Sequence, residues 1–194
     1  MISKRLTPTR LLQLIVLVFI VTTPLYADTP RSDFQQLIKE VRLTIRDRLV
    51  VMTSVARYKW ANQLPIEDLA REKTVIKNTV NQAKAAGLKP GYAVNVVSAQ
   101  IKAAKQVQLG WFQRWKLVPG SEARIPLEDL DTDIRPAITE ITERLILQLV
   151  SLKSFQLTCK HIAQLEEVPK NLQAYAEAWH TAANGIVPQG LKCK

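Results

Sequence analysis

Arg48-Leu49-Val50-Val51-Met52-Thr53-Ser54-Val55-Ala56-Arg57-Tyr58-Lys59-Trp60, continued by Pro65-Ile66-Glu67-Asp68-Leu69-Ala70-Arg71-Glu72, is the stretch from which this chain of 194 residues is best read. Phe34, Ile38, Val41, Ile45, Met52 and Val55 recur at helical spacing. The stretch therefore opens as the second half of a long amphipathic helix, predicted to start at the capping box Ser32-Asp33-Phe34-Gln35 and to run to about Trp60. Around that helix Arg48 and Lys59 lie within about 60° of Ile45, on the apolar side. Two cations thus face the place where the core must be. A buried, unpaired charge costs several kcal/mol, so this face must open onto a cavity in which something anionic meets them, either an internal carboxylate or a ligand.

Beyond the long helix, Asn62-Gln63-Leu64-Pro65 is a break. Pro65 at a first helical position, with Glu67 and Asp68 in the first turn, predicts a second helix whose apolar side is Ile66, Leu69, Ile76, Val80 and Ala83. Asp68, Arg71 and Glu72 have i, i+3, i+4 spacing and share one edge beside that stripe. Gly87-Leu88-Lys89-Pro90-Gly91 is a stop and a turn. A third helix from about Tyr92 buries Ala93, Val97, Ile101 and Ala104, with Trp111 near its end and Gln108 at the centre of the stripe. A buried amide needs partners, so Gln108 is a second polar group on a core face. Residues 115–120 and 124–131 carry prolines and acids without a clear period and read as a linker.

A fourth helix follows, with Pro136 in its first turn and Ile138, Ile141, Leu145, Leu149 and Leu152 on its apolar side. Arg135 is placed at its entrance, where backbone amides also attract anions. Helical patterns continue over 155–167 and again from Lys170 until Asn184-Gly185 stops the chain. No segment alternates with period two for long enough to be a strand. The expected fold class is all-α, a single-domain bundle of about six helices with a long N-terminal helix.

Residues 1–27 read as something other than fold. Lys4, Arg5 and Arg10 form a positive region, residues 11–21 are apolar except for Gln13, and Pro24-Leu25-Tyr26-Ala27 ends on a small residue. This is the pattern of a signal peptide cut after Ala27, leaving a domain of residues 28–194 in the periplasm or outside the cell. The apolar run is too short for a membrane anchor. Export puts Cys159 and Cys193 in an oxidising compartment, which favours a disulfide tying the C-terminal tail to an earlier helix over a metal site or a nucleophile. Only His161 and His180 could join them around a metal. The net charge is +10, falling to +7 once Lys4, Arg5 and Arg10 are removed. Export argues against nucleic acid as partner, and the cations are interspersed with acids, so most of this charge is a solvated face that can still draw a small anion to a basic pocket.

The residues alone thus describe an exported helical domain that turns Arg48, Lys59 and Gln108 inward, with Arg71 and Arg135 at rims. Several cations and one neutral amide suit a small dicarboxylate. No pair of inward carboxylates, nucleophile elbow or phosphate loop is legible. Taken singly, Arg48 or Lys59 reads as a snorkelling side chain or half of an ion pair, Gln108 as a satisfied core amide, and Asp68-Arg71-Glu72 as a surface salt-bridge cluster.

Taken together, these residues resemble the all-helical chorismate mutases of the exported type. The resemblance rests on Arg48, Lys59 within Tyr58-Lys59-Trp60, Pro65-Ile66-Glu67-Asp68 with Arg71-Glu72, and Gln100-Ile101-Lys102-Ala103-Ala104 leading to Gln108. It covers the mature chain and extends to Arg135 and to a disulfide matched by Cys159 and Cys193. It implies the rearrangement of chorismate to prephenate without cofactor, metal or covalent intermediate. Arg48, Arg71 and Arg135 would hold the substrate's carboxylates, Lys59 would reach a carboxylate and the ether oxygen, and Gln108 would donate to that oxygen. Asp68 and Glu72 would lie near the ring hydroxyl, with Glu72 the direct contact. Ala104 departs from the pattern, since a hydroxyl residue is common there. A homodimer is implied, each protomer building its own pocket, with neither nucleic acid nor, after signal cleavage, membrane as partner. The alternatives are a lyase on the same fold that cuts pyruvate from isochorismate, and a periplasmic small-anion binding protein without turnover.

Overall fold

Helix α1 (Pro30–Ala61) carries the core of the molecule along one face: Phe34, Ile38, Val41, Ile45, Leu49, Met52 and Val55 are all buried. The computed structural model describes residues 30–188 together with Gly190, Leu191 and Cys193. The signal peptide read at residues 1–27 lies outside the described residues. The helix already runs at Pro30, so Ser32 lies within it and is not the N-cap. The C-terminus of α1 is closed by a Schellman pair: Gln63 N–H donates to Trp60 O (3.2 Å) and Leu64 N–H to Lys59 O (2.8 Å), with Gln63 at φ 55°. The reversal takes place here, and Pro65 follows it in the loop.

For that reason Pro65 is not a first helical residue. Helix α2 (Leu69–Ala85) starts four residues later, where the Asp68 carboxylate accepts a hydrogen bond from Arg71 N–H (2.9 Å) and caps the orphan amides. Leu69, expected on the apolar side, is exposed for the same reason: it is the first residue past the cap. Gly87 (φ 89°) ends the helix in a second Schellman turn, with Leu88 N–H on Ala83 O (2.9 Å) and the Leu88 side chain buried.

Helix α3 (Pro90–Leu117) begins directly at Pro90 and runs to Leu117, through the first part of the residues expected to be linker. Trp115 is the reason. It is fully buried, and with Trp60, Trp111 and Phe112 it forms an aromatic cluster with ring centroids 5.1 to 6.1 Å apart, which holds this last turn in the helix. A 3-10 turn (Ser121–Arg124) and an extended stretch lead on to a π turn (Leu130–Ile134) that runs without a break into α4 (Arg135–Leu152). The helix entrance is thus at Asp129, whose carboxylate accepts from the amides of Asp131 and Thr132, both at 2.8 Å. The Arg135 amide donates to Leu130 O. Arg135 accordingly contributes its side chain at this place and no free helix-end amide, contrary to the expectation from Pro136.

Helix α5 (Cys159–Glu166), a 3-10 segment (Lys170–Tyr175) and α6 (Ala176–Ile186) complete the chain, with residues 155–158 outside any helix. Among the described residues there are six α-helices and no strand, around one hydrophobic core, and no helix is long and apolar enough to cross a membrane. The Cys159–Cys193 disulfide is formed, with Cα atoms 5.4 Å apart, and ties the tail to α5. Polar bonds fix α6 against its neighbours: Gln100 Nε2 donates to Ala182 O (3.0 Å), Tyr92 Oη to Ile186 O (2.7 Å) and Trp179 Nε1 to Leu165 O (2.9 Å).

Gly185 is the penultimate residue of α6, which ends at Ile186, within one residue of the stop expected at Asn184-Gly185. A Cβ placed there would stand 2.3 Å from the Ala99 Cβ of α3, so the glycine permits the close crossing of these two helices. Neither atom can rotate away. Gly185→Ala is therefore expected to destabilise the fold by about 1–3 kcal/mol, lowering the urea midpoint. An unchanged midpoint would mean that α3 and α6 are not in contact at this position.

Candidate active site

Arg48 and Lys59 are 11 positions apart on one helix, about 16 Å along its axis, and their side of α1 opens onto a cavity enclosed by α2, α3 and α4. The cavity measures about 310 Å³. Its walls include every residue that sequence and resemblance singled out for a site: Arg48, Lys59, Asp68, Arg71, Glu72, Ala104, Gln108 and Arg135. The remaining wall is mixed: Met52 and Val55 from α1, Ile101 from α3 and Leu130 and Ile138 from the α4 side are apolar, while Thr74, Asn78, Thr79 and Gln82 from α2 and Thr139 and Thr142 from α4 are polar.

Three donors are held in the same manner, each by one bond to a neutral oxygen. Arg48 is 5 % exposed and donates from one terminal nitrogen to Thr142 Oγ1 at 3.1 Å. No carboxylate among the described residues pairs with it. Burial alone pushes its guanidinium down to about 10, which leaves it charged at neutral pH. Lys59 Nζ donates to Ile66 O at 2.7 Å, so the loop after α1 folds back over the helix end and fixes the ammonium. Desolvation lowers the Lys59 pKa, Asp68 and Glu72 act to raise it, and Lys105 adds to the lowering. Gln108 is buried, and its Nε2 donates to Ala104 O one turn back at 3.1 Å and lies 3.9 Å from Met52 Sδ.

The arithmetic of donors follows from the chemistry of the groups. A guanidinium has five N–H bonds, an ammonium three and a primary amide two. One bond from each group goes to its oxygen anchor; the remaining hydrogens of Arg48 and Lys59 are left for whatever enters the cavity, and the second hydrogen of Gln108 is met by Met52 Sδ, a weak acceptor that an entering oxygen can displace. Acceptors are fewer and lie towards α2. The Asp68 carboxylate is engaged with the Arg71 amide, and Glu72 Oε2 accepts from Lys105 Nζ at 3.2 Å. Lys105 also bonds Glu67 Oε1 at 3.0 Å and is held protonated by these bonds, that to Glu67 first. Arg71 is exposed, and Arg135 is about two-fifths exposed and paired with Asp131, so both stand at the mouth as the sequence placed them.

Asp68, Arg71 and Glu72 do not form the surface salt-bridge cluster that their spacing allows. The partner of Glu72 is Lys105, on a different helix. Among the polar lining residues that sequence reasoning passed over, Lys105 and Thr142 are the ones that bond a candidate site residue. A signal for Thr142 existed: Arg135, Thr139 and Thr142 have i, i+4, i+7 spacing on α4 and all three line the cavity. For Lys105, next to Ala104, there was none, because charge at the edge of a helix stripe is ordinary.

Comparison with known proteins gives the following. Residues 24–109 match the family described as chorismate mutase type II. A monofunctional chorismate mutase of Enterobacter agglomerans is 32 % identical over 137 residues, spanning 66 % of this chain and 74 % of that protein. A secreted chorismate mutase of Mycobacterium tuberculosis is 30 % identical over 149 residues, 77 % of this chain and 74 % of that protein. Among solved structures, a chorismate mutase from Burkholderia thailandensis superposes with a TM-score of 0.69 at 28 % identity, over 78 % of this chain and 99 % of that one.

Proposed function

The chain belongs to the type II chorismate mutases, and from that premise we propose which of its residues rearrange chorismate to prephenate. The reaction breaks one C–O bond and forms one C–C bond within a single dianionic molecule. The protein must therefore hold two carboxylates, fold the enolpyruvyl arm over the ring, and stabilise negative charge where the C–O bond breaks.

Arg48 takes one carboxylate from inside the cavity, and Arg71 and Arg135 close on the substrate from the mouth. Planar guanidinium forks match carboxylates in a way that an ammonium cannot. Lys59 spends one proton on Ile66 O and has two left, one for a carboxylate and one for the ether oxygen. Gln108, steadied by Ala104 O, offers its second amide hydrogen to the same oxygen. As C–O cleavage runs ahead of C–C bonding, charge grows on that oxygen, and fixed donors there favour the transition state over the ground state. Glu72 accepts the ring hydroxyl through the oxygen that Lys105 does not occupy, with Asp68 beside it. Ala104 gives up the hydroxyl contact common in the family and lines the cavity with a methyl group. A volume of about 310 Å³ suits a ligand of this size.

The observation that carries this reading is the convergence of a buried, unneutralised arginine, a half-buried lysine and a buried amide on one cavity of a single chain. Export through residues 1–27, leaving residues 28–194 as the mature enzyme, is part of the same proposal. It is supported by the Cys159–Cys193 disulfide and by the secreted relative. The protein is expected to pair as a homodimer, with a complete cavity in each protomer because Arg135 comes from the same chain as Lys59. Purified mature protein incubated with chorismate should release prephenate, followed by loss of substrate absorbance and acid conversion of the product. Tight binding without turnover would overturn the catalytic assignment, and pyruvate from isochorismate as the main product would replace it with the lyase.

A further inference from the structure

The most buried charge in the cavity is oriented by a residue that plays no part in the assignment above. Among the described residues the Arg48 guanidinium meets neither a carboxylate nor a backbone carbonyl, and its one hydrogen-bond acceptor there is Thr142 Oγ1 at 3.1 Å. Thr142 is itself oriented, since its hydroxyl hydrogen goes to Ile138 O at 2.7 Å in the preceding turn of α4. That bond uses the hydroxyl's only proton, so its oxygen faces Arg48 as an acceptor and cannot present a donor instead. We propose that Thr142 is a positioning residue for the mutase reaction: a neutral acceptor that aims the Arg48 guanidinium at the substrate carboxylate without neutralising it.

The choice of a hydroxyl has a physical consequence. A carboxylate at this position would form a charge-assisted, bidentate pair with Arg48 and satisfy it internally, and the substrate would have to displace that pair. No acceptor at all would leave a long, fully buried side chain free to change rotamer. A single neutral bond fixes direction while the positive charge remains unspent, and no acid offsets the desolvation that lowers the Arg48 pKa. Lys59 on Ile66 O and Gln108 on Ala104 O follow the same rule with backbone oxygens. Arg48 is the case in which the anchor is a side chain on another helix, and hence the one that can be altered by substitution. Arg135 lies two turns earlier on α4, so this one helix aims the inner arginine and supplies the outer one.

The proposal rests on Arg48 gripping a substrate carboxylate, and the test separates the two. Thr142→Val keeps the shape and removes the acceptor. It should raise KM about tenfold with kcat changed less than threefold, since a carboxylate grip acts in both ground and transition states. Thr142→Ser keeps the hydroxyl and loses a methyl group, and it should bring KM back to within about threefold of the parent. A residue that merely fills space predicts the reverse order, with valine harmless and serine worse. Arg48→Ala is measured alongside. If it raises KM strongly while Thr142→Val does not, the positioning role is wrong and the reading of Arg48 stands. If Arg48→Ala leaves KM unchanged, the reading of Arg48 itself fails. Should Thr142→Val not fold, Thr142→Asp replaces it: pairing with Arg48 should raise the KM of the folded enzyme by about 100-fold, and an unchanged KM overturns the proposal.

Discussion

Lys59→Ala is expected to lower kcat by about 10²–10³-fold, the loss associated with removing one preorganised donor from a developing oxyanion. The effect should fall at the upper end of that range, because more than a donor is lost. Asp68 and Glu72 are near enough to act on the charge of Lys59, and without the ammonium their carboxylates would face a dianionic substrate uncompensated. The fold should survive. Lys59 makes one bond to the loop, to Ile66 O, while the end of α1 is closed independently by the Gln63 and Leu64 amides. Helical circular dichroism and the thermal midpoint of the variant should therefore stay close to those of the parent. Turnover within tenfold of the parent in a folded variant would remove Lys59 from the reacting oxygen.

The second large effect concerns Gln108→Glu. An amide donates at any pH, whereas a carboxyl group donates only while protonated, and once ionised it repels the charge growing on the ether oxygen. The variant should be about 10²-fold slower than the parent near neutrality and should recover as the pH falls through the pKa of the introduced group, which burial raises. The parent gives the contrasting profile. Arg48, at about 10, keeps its proton across the mild range. Lys59 acts in its charged form, below its pKa, and desolvation lowers that pKa, so activity should fall on the alkaline side earlier than an ordinary lysine would dictate. The kcat/KM profile should thus be nearly flat between about pH 5 and 8 with one alkaline limb. Equal activity of parent and variant at neutral pH would argue against a bond from Gln108 to the ether oxygen.

Much of the long helix could be read from spacing, because burial along α1 follows its own 3.6-residue period and nothing else. The same period put Arg48, Lys59 and Gln108 on inward faces, where they are found. The misreadings came at element ends. At Pro65 a local preference for the first helical position lost to the Asp68 cap, which satisfies an amide that proline cannot. At Trp115 charged neighbours and Pro119 concealed a helical turn that is held by aromatic contacts from α1, remote in sequence. At Gly185 the expected stop falls within one residue of the helix end, but the glycine is required for a reason spacing does not show, because Ala99 leaves no room for a Cβ.

By itself, then, the sequence determined the all-helical class, the three inward polar groups and the family to which they point, since periodicity and the order of motifs are properties of the chain alone. The anchors of Gln108 and Lys59 are still local, Ala104 O one turn back on α3 and Ile66 O in the loop after α1. Tertiary structure decided the rest: the bond of Arg48 to Thr142 and the pairing of Glu72 with Lys105 depend on how far α2, α3 and α4 are shifted and rotated against one another and against α1. That relation is set by core packing between helices, and a one-residue slide along any of them would exchange the partners while leaving every local pattern intact.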